Sequence, residues 1–257
     1  MEVSKLEDLL YEDWTWRKIE ISELIFVAEV EEKNVLLKSI ILLLYAHWEG
    51  YIKKSSRTYL KFITENRIKV SELTDNFKYV TLKGLSKEIY NSSNTLNLNN
   101  ELHFIKRFSE INSITIDKLL KIDLENEREK SIVDTQDNLT PEIFKKIIDI
   151  LGLVYLDGYE SKKMHIESKL VAHRNSIGHG NRKLSFNQEF QLEIVALKEL
   201  KEIIFSISEN FRDDILQYAK EQYYLKDNHN HIEGYVLMKE QKLMQLFREI
   251  ESRYNND

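Results

Sequence analysis

Residues that interrupt helices are scarce in this chain. It has one proline and seven glycines in 257 residues, and these two residue types most often end or bend a helix. Several long stretches place apolar residues every three or four positions, which is the spacing of one helical face. No stretch keeps the two-residue alternation of a half-buried strand. The sequence therefore predicts an all-α bundle of long antiparallel helices.

The periodic segments predict where the helices lie. We expect a helix from Pro141 to about Ile150, because Thr140 is a good N-cap, Pro141 suits the first helical position and Gly152 suits the end. The other clear helical patterns cover residues 14–32, 34–63, 161–177 and 190–224, and weaker ones cover 70–90, 101–120 and 235–254.

The pattern changes after Tyr224. Residues 226–231 are polar and have no period. We therefore divide the chain into a helical domain, residues 1–225, and a C-terminal appendage, residues 226–257. We find no internal repeat and no low-complexity segment in either part.

The composition excludes several classes of protein. Cysteine is absent, which excludes disulfide frameworks, thiolate zinc sites, iron–sulfur clusters and cysteine nucleophiles. The net charge of −6 argues against coating nucleic acid or membrane over the whole surface, but it allows a local basic cleft. There is no secretory signal pattern, and the apolar stretch 35–46 is too short to span a membrane. We expect a cytoplasmic protein without a membrane partner.

One polar string stands between two strongly helical segments: Val-Ala-His-Arg-Asn-Ser-Ile-Gly-His-Gly, residues 171–180. The two glycines disfavour further helix, so His179 should lie at a helix terminus. Arg174 and His179 are five positions apart, about 140° around an ideal helix, so spacing alone does not place them in one site. In the simpler alternative, Arg174 pairs with an acid and His179 interacts with the helix end.

Two segments are basic on an otherwise acidic chain. Residues 51–69 and 161–183 each contain six Lys or Arg residues and a single Glu. This pattern is typical of an anion-binding cleft, although two solvated helix faces would give the same pattern. The candidate substrate-binding residues are Lys53, Lys54, Arg57, Arg182 and Lys183.

A histidine and an arginine beside a polyanion suit the cleavage of RNA. The 2′-hydroxyl of RNA is a built-in nucleophile, histidine transfers protons near neutral pH, and arginine stabilises charge that develops on phosphate. The sequence has no H-E-x-x-H, EF-hand, Walker, GxGxxG or GxSxG motif. We therefore expect no cofactor and no metal site.

The string Arg174-Asn175-Ser176-Ile177-Gly178-His179-Gly180 resembles the R-x₄₋₆-H motif of HEPN-domain proteins. Residues 42–51, Leu-Leu-Leu-Tyr-Ala-His-Trp-Glu-Gly-Tyr, resemble an early helix of the RiboL-PSP-type HEPN nucleases, and the resemblance covers about residues 14–225. It implies a HEPN-like bundle and a metal-independent endoribonuclease, a hydrolase of toxin–antitoxin or phage-defence systems. By the same resemblance, Arg174 and His179 are the catalytic pair, Asn175 supports them, and His47 and Glu49 are a possible facing wall.

The resemblance also implies partners. HEPN domains commonly form homodimers that place two motifs across one cleft, and the substrate would be RNA. In members silenced by a nucleotidyltransferase, a tyrosine stands two positions after the motif histidine, where this chain has Asn181. A different cognate antitoxin or regulatory protein is therefore expected.

Two other functions remain open from the sequence. The chain could be a non-catalytic helical adaptor that binds RNA or a protein through the same basic surface. It could also be a structural protein in which helices 34–63 and 187–224 form an oligomer seam. Loss of cleavage with retained RNA binding would favour the adaptor, whereas light scattering tests the seam.

Overall fold

The computed structural model describes residues 1–31, 33–78, 80, 119–120, 133, 135, 138–179 and 193–254. The helices in these residues are α1 Val3–Glu31, α2 Asn34–Glu65, α3 Pro141–Leu151, α4 Asp157–Ser161, α5 Lys163–Ile166, a π-helical turn Glu167–Val171, α6 Ala172–Gly178, α7 Ile194–Lys220, α8 Lys226–His229 and α9 Glu233–Tyr254. No strand occurs among these residues, which contain only isolated bridges from Lys69 to Leu119 and from Leu73 to Leu225. The all-α prediction is confirmed.

Three long helices build the centre of the bundle. Only two residues separate α1 from α2, so the two helices form an antiparallel hairpin, and α7 packs against both. Trp14 of α1 is buried where they meet, with its ring centre 4.6 Å from that of Tyr51 and 5.2 Å from that of Phe205. Trp48 of α2 is also fully buried. These aromatic side chains fix the three helices relative to one another.

The start and end of α3 agree with the sequence. The Thr140 side chain accepts a hydrogen bond from the Ile143 backbone N–H at 3.2 Å, and Pro141 is the first residue of the helix. Gly152 follows the last turn at φ 72°, a conformation that favours glycine. Phe144 then packs edge-on against Phe211 of α7 at 5.6 Å. The capping residues therefore predict both ends of α3 correctly, and the helix packs on the core through Phe144.

The C-terminal helix α9 packs along α7. Its residues Leu243, Phe247 and Ile250 are buried. Lys239 of α9 lies 3.3 Å from Asp214 of α7, and both side chains are almost fully buried. The buried side chains of α9 thus contribute to the same core as α7. The division of the chain into two parts at residue 225 stays a prediction.

Several predicted boundaries are wrong. The first helix begins at Val3 instead of near Trp14, and Leu6 and Leu10 extend its buried face. The last long helix ends at Lys220 instead of residue 224 because Gln222 takes φ 57°. Residues 70–72 form turns and Leu73 forms a bridge, so helix in the predicted 70–90 segment begins only at residue 75. The predicted helix 101–120, apart from its last two residues, and the predicted helical region 81–90 lie outside the described residues.

Among the described helices, α2 is long and apolar enough to cross a bilayer. Half of its most apolar window is buried inside the bundle. It contacts α1, α3, α6 and α7, which is the environment of a core helix. The expectation that this segment is too short to span a membrane is therefore wrong on length, because the helix runs well beyond residue 46.

Candidate active site

A π-helical turn comes just before the polar string. The sequence predicts one regular helix over 161–177, but α4 ends at Ser161 and the new helix from Lys163 contains a π-turn at Glu167–Val171. The buried side chain of His173 supports this turn, with Nδ1–H donating to the Ser168 carbonyl oxygen at 3.0 Å. Burial lowers the pKa of His173. One extra residue in the turn rotates everything after it by about 100°.

That rotation places Arg174 against α2. Its guanidinium carbon lies 4.8 Å from the centre of the Tyr45 ring, and its Nη1 donates to Asn175 Oδ1 at 2.9 Å. Among the described residues, no carboxylate lies within ion-pair distance of Arg174. The described residues therefore do not support the simpler alternative, in which Arg174 forms an ion pair with an acid. Asn175 Oδ1 is the acceptor that the described residues provide for the half-buried guanidinium, which leaves most of its N–H donors without a partner among them.

His179 lies at the end of the same helix. It is the first residue beyond α6, with φ −84° and ψ 8°, and its side chain is exposed. Its backbone N–H donates to the Asn175 carbonyl oxygen at 3.0 Å. Asn175 therefore contacts Arg174 through its side chain and His179 through its main chain. The structure places all three residues within about two helical turns.

Glu49 and Tyr45 form a polar wall on α2 beside this helix. The Leu139 backbone N–H donates to the Tyr45 hydroxyl at 2.6 Å. One turn further, Glu49 Oε1 accepts from Thr135 Oγ1 at 2.5 Å and from Lys53 Nζ at 2.9 Å. Burial, followed by the negative charge of Glu49, raises the pKa of Tyr45. The phenol therefore stays neutral at physiological pH.

His47 lies on a different side of α2. Two residues along a helix correspond to a rotation of about 200°, so His47 faces α1 while Tyr45 faces α6. Its Nε2 is 2.8 Å from Glu20 Oε2 and its Nδ1 is 3.3 Å from Arg17 Nη1. Burial lowers the pKa of His47, and the positive charge of Arg17 adds to this effect. Of the two residues expected to face the motif, the structure brings only Glu49 to that side.

Of the ten described basic residues in the two positive segments, six have described acidic partners within ion-pair distance. Lys53 pairs with Glu49, and Lys54 pairs with the buried carboxylate of Asp13 at 2.7 Å. Lys162 pairs with Glu251 of α9, and Lys169 lies 3.8 Å from Glu199 of α7. The described parts of these segments are thus largely ion-paired helix surface, so they support the expected anion-binding cleft only weakly.

The remaining candidate cations differ. Arg57 is half-buried and its Nε has no hydrogen-bond partner among the described residues. Arg182 and Lys183 lie outside the described residues. In the part of the chain that the structure describes, no group of three or more His, Asp or Glu side chains is arranged to hold a metal ion.

Sequence reasoning missed the contact between Tyr45 and Arg174. Tyr45 belongs to the segment that resembles an early HEPN helix, but no spacing rule joins residues so far apart in the chain. The π-turn also has no sequence signal of its own. The sequence indicated this contact only by placing a tyrosine on the buried face of a long helix.

The helical bundle and the arginine–histidine string at the end of a helix define a HEPN-domain protein. The sequence profile of the MAE_28990-like HEPN family matches residues 6–224, so the chain belongs to the HEPN family, which includes RNase-type toxin and defence members. The match names this branch and not the RiboL-PSP-type branch, and it ends before α9. The comparisons with curated proteins and with solved structures each return no significant match.

Proposed function

We propose that this protein is a metal-independent endoribonuclease that acts as a toxin or defence effector. The observation that carries the proposal is the set of contacts that the Arg174 guanidinium makes. Its guanidinium is held by an aromatic ring and an amide instead of a carboxylate, and an exposed histidine follows at the end of the same helix. A positive charge held in this way is available to bind a phosphate.

The proposed reaction assigns one role to each residue. The 2′-oxygen of RNA attacks phosphorus, a new O–P bond forms, and the bond from phosphorus to the 5′-oxygen breaks. His179 transfers one of the two protons that move, from the 2′-hydroxyl or to the leaving 5′-oxygen. Arg174 stabilises the negative charge on the non-bridging oxygens, and Asn175 holds Arg174. The products are a 2′,3′-cyclic phosphate and a 5′-hydroxyl.

A homodimer would complete this chemistry. The reaction needs one group that accepts a proton and one that donates a proton, and a second copy would supply the second His179. The α1–α2 hairpin leaves Phe26, Val30 and Val35 strongly exposed, which supports burial of some apolar surface in an assembly. We further propose that the protein works in the cytoplasm and is held inactive by a cognate protein. Light scattering tests the dimer, and a strictly monomeric protein that cleaves RNA would overturn it.

The deciding experiment is RNA cleavage by the purified protein in excess EDTA. Arg174→Ala and His179→Ala should each abolish cleavage, and the wild-type products should carry a 2′,3′-cyclic phosphate. Arg248→Ala and His231→Ala are the matched controls, because both residues are exposed and lie on or next to α9. Equal cleavage by all variants would refute the assignment. RNA binding without cleavage by the wild type would favour the non-catalytic adaptor.

A further inference from the structure

We propose that Tyr45 is the positioning residue for Arg174: its ring holds the guanidinium in place and leaves the charge free for an anionic substrate. The expected effect on RNA cleavage rests on the proposed function, but the contact between the ring and the guanidinium can be tested separately. Tyr45 is buried on α2, and the guanidinium carbon of Arg174 lies 4.8 Å from its ring centre. The two residues come from helices that are far apart in the sequence.

An aromatic ring holds an arginine differently from a carboxylate. A carboxylate takes up two N–H donors of the guanidinium and cancels its charge. The face of a ring attracts the cation without using any N–H donor. Within the described part of the chain, one donor of Arg174, on Nη1, is used by Asn175. The remaining donors can therefore bind the oxygens of a phosphate.

The ring itself is fixed by the residues before α3. The Leu139 backbone N–H donates to the phenol oxygen at 2.6 Å, and the phenol O–H lies 3.4 Å from Asn138 Oδ1. Glu49 lies one turn further along α2, where it accepts from Thr135. These contacts set the position of the ring before any substrate binds. Because the phenol keeps its proton, no phenolate charge neutralises Arg174.

Tyr45→Leu and Tyr45→Phe separate the ring from the hydroxyl. We expect Tyr45→Leu to lower kcat/KM for RNA by roughly 2- to 30-fold, the range of a cation–π contact. Tyr45→Phe keeps the ring and should restore most of the activity. Tyr155→Leu is the matched control, because Tyr155 also carries a cation over its ring, with Lys145 Nζ at 4.9 Å, while among the described residues its ring packs on Tyr159 and not on Arg174.

NMR of the Arg174 side chain tests the geometry without any activity. A guanidinium over an aromatic ring has its Nε–H and δ protons shifted upfield. Arg174→Lys identifies the signal, which should be shifted in the wild type and in Tyr45→Phe and should lose the shift in Tyr45→Leu. This measurement also shows whether Tyr45→Leu is folded, from the dispersion of its other signals.

The two readouts distinguish the possible failures. An unshifted Arg174 signal in the wild type would overturn the positioning role, whatever the activity. Wild-type activity in a folded Tyr45→Leu protein would overturn it as well. A shifted signal in a wild-type protein that does not cleave RNA would refute the proposed nuclease and leave the positioning role standing. Equal losses in Tyr45→Leu and Tyr155→Leu would show that the effect is only structural and would also overturn it.

Discussion

His165 should make the protein sensitive to mild acid. This histidine lies on α5, just before the π-turn, and its Nε2 is buried with no hydrogen-bond partner among the described residues. Burial lowers its pKa to about 4, and the neighbouring charges of Lys169 and Lys162 add to the effect, while Glu251 opposes it. Replacing His165 with phenylalanine keeps a ring of similar size and removes the titration.

The magnitude follows from the difference between the folded and unfolded proteins. An unfolded histidine has a pKa of about 6.5, so between pH 6.5 and 4 the unfolded chain binds the proton and the folded chain does not. Stability is therefore full above pH 6.5 and falls as the pH is lowered. The full shift corresponds to about 2 kcal/mol at pH 5, and solvent screening of this partly exposed imidazole reduces the expected loss to about 1 kcal/mol. That is a measurable part of a typical free energy of unfolding.

Urea unfolding of both proteins at pH 7.5, 6 and 5 measures this effect. The difference between the variant and the wild type is the quantity to follow, because another buried group acts in the opposite direction. Burial raises the pKa of Asp214 to about 6, so the protonation of Asp214 favours the folded state as the pH falls. The difference between the two proteins cancels this contribution.

We expect His165→Phe to gain about 1 kcal/mol relative to the wild type between pH 7.5 and pH 5. His231→Gln is the control, since His231 is exposed, and its curve should run parallel to that of the wild type. A constant difference between His165→Phe and the wild type over this range would show that His165 is not held neutral by the fold. The reasoning from burial would then be wrong.

Three other substitutions test the packing. Lys239→Met removes the cation beside the buried Asp214 carboxylate and leaves it, among the described residues, only the hydrogen bonds from Tyr235 and Asn210. We expect a loss of about 3 kcal/mol in urea unfolding, most of which the double variant with Asp214→Asn should recover. Gly152→Ala should cost about 1–2 kcal/mol, because φ is 72° and the new Cβ would lie 2.7 Å from the Asn76 side chain. Thr140→Ala should cost about 1 kcal/mol and Thr140→Ser much less, and equal losses in the thermal midpoint would argue against the cap.

Local signals in the sequence predicted the fold well. The three-to-four spacing located α2 closely, and Thr140, Pro141 and Gly152 located α3 because each acts on its own backbone neighbours. The start of α1 was missed because its apolar residues surround the helix instead of forming one stripe. The end of α7 was missed because the tyrosines after it continue the spacing while the backbone turns at Gln222.

The sequence predicts residues for the candidate site but not their contacts. The family resemblance implies Arg174, Asn175 and His179 as site residues, which stays a prediction, whereas the contact between Tyr45 and Arg174 arises only through tertiary packing. The π-turn rotates the motif helix, and its support by His173 depends on burial that the sequence does not show. The ion pairs of the basic segments were not predictable for a similar reason, since the acids that pair with Lys54 and Lys162 come from α1 and α9.

The position of His179 bears on how a five-residue spacing could serve the proposed site. On a continuous helix, Arg174 and His179 would point about 140° apart. The helix ends at Gly178, and His179 has a backbone conformation outside the helical range, so its direction does not follow the helical period. Arg174 is fixed by the helix and by Tyr45, whereas His179 is fixed by the turn. For the proposed site, the helix end before His179 therefore matters more than the five-residue spacing, because the turn sets the backbone direction at the histidine.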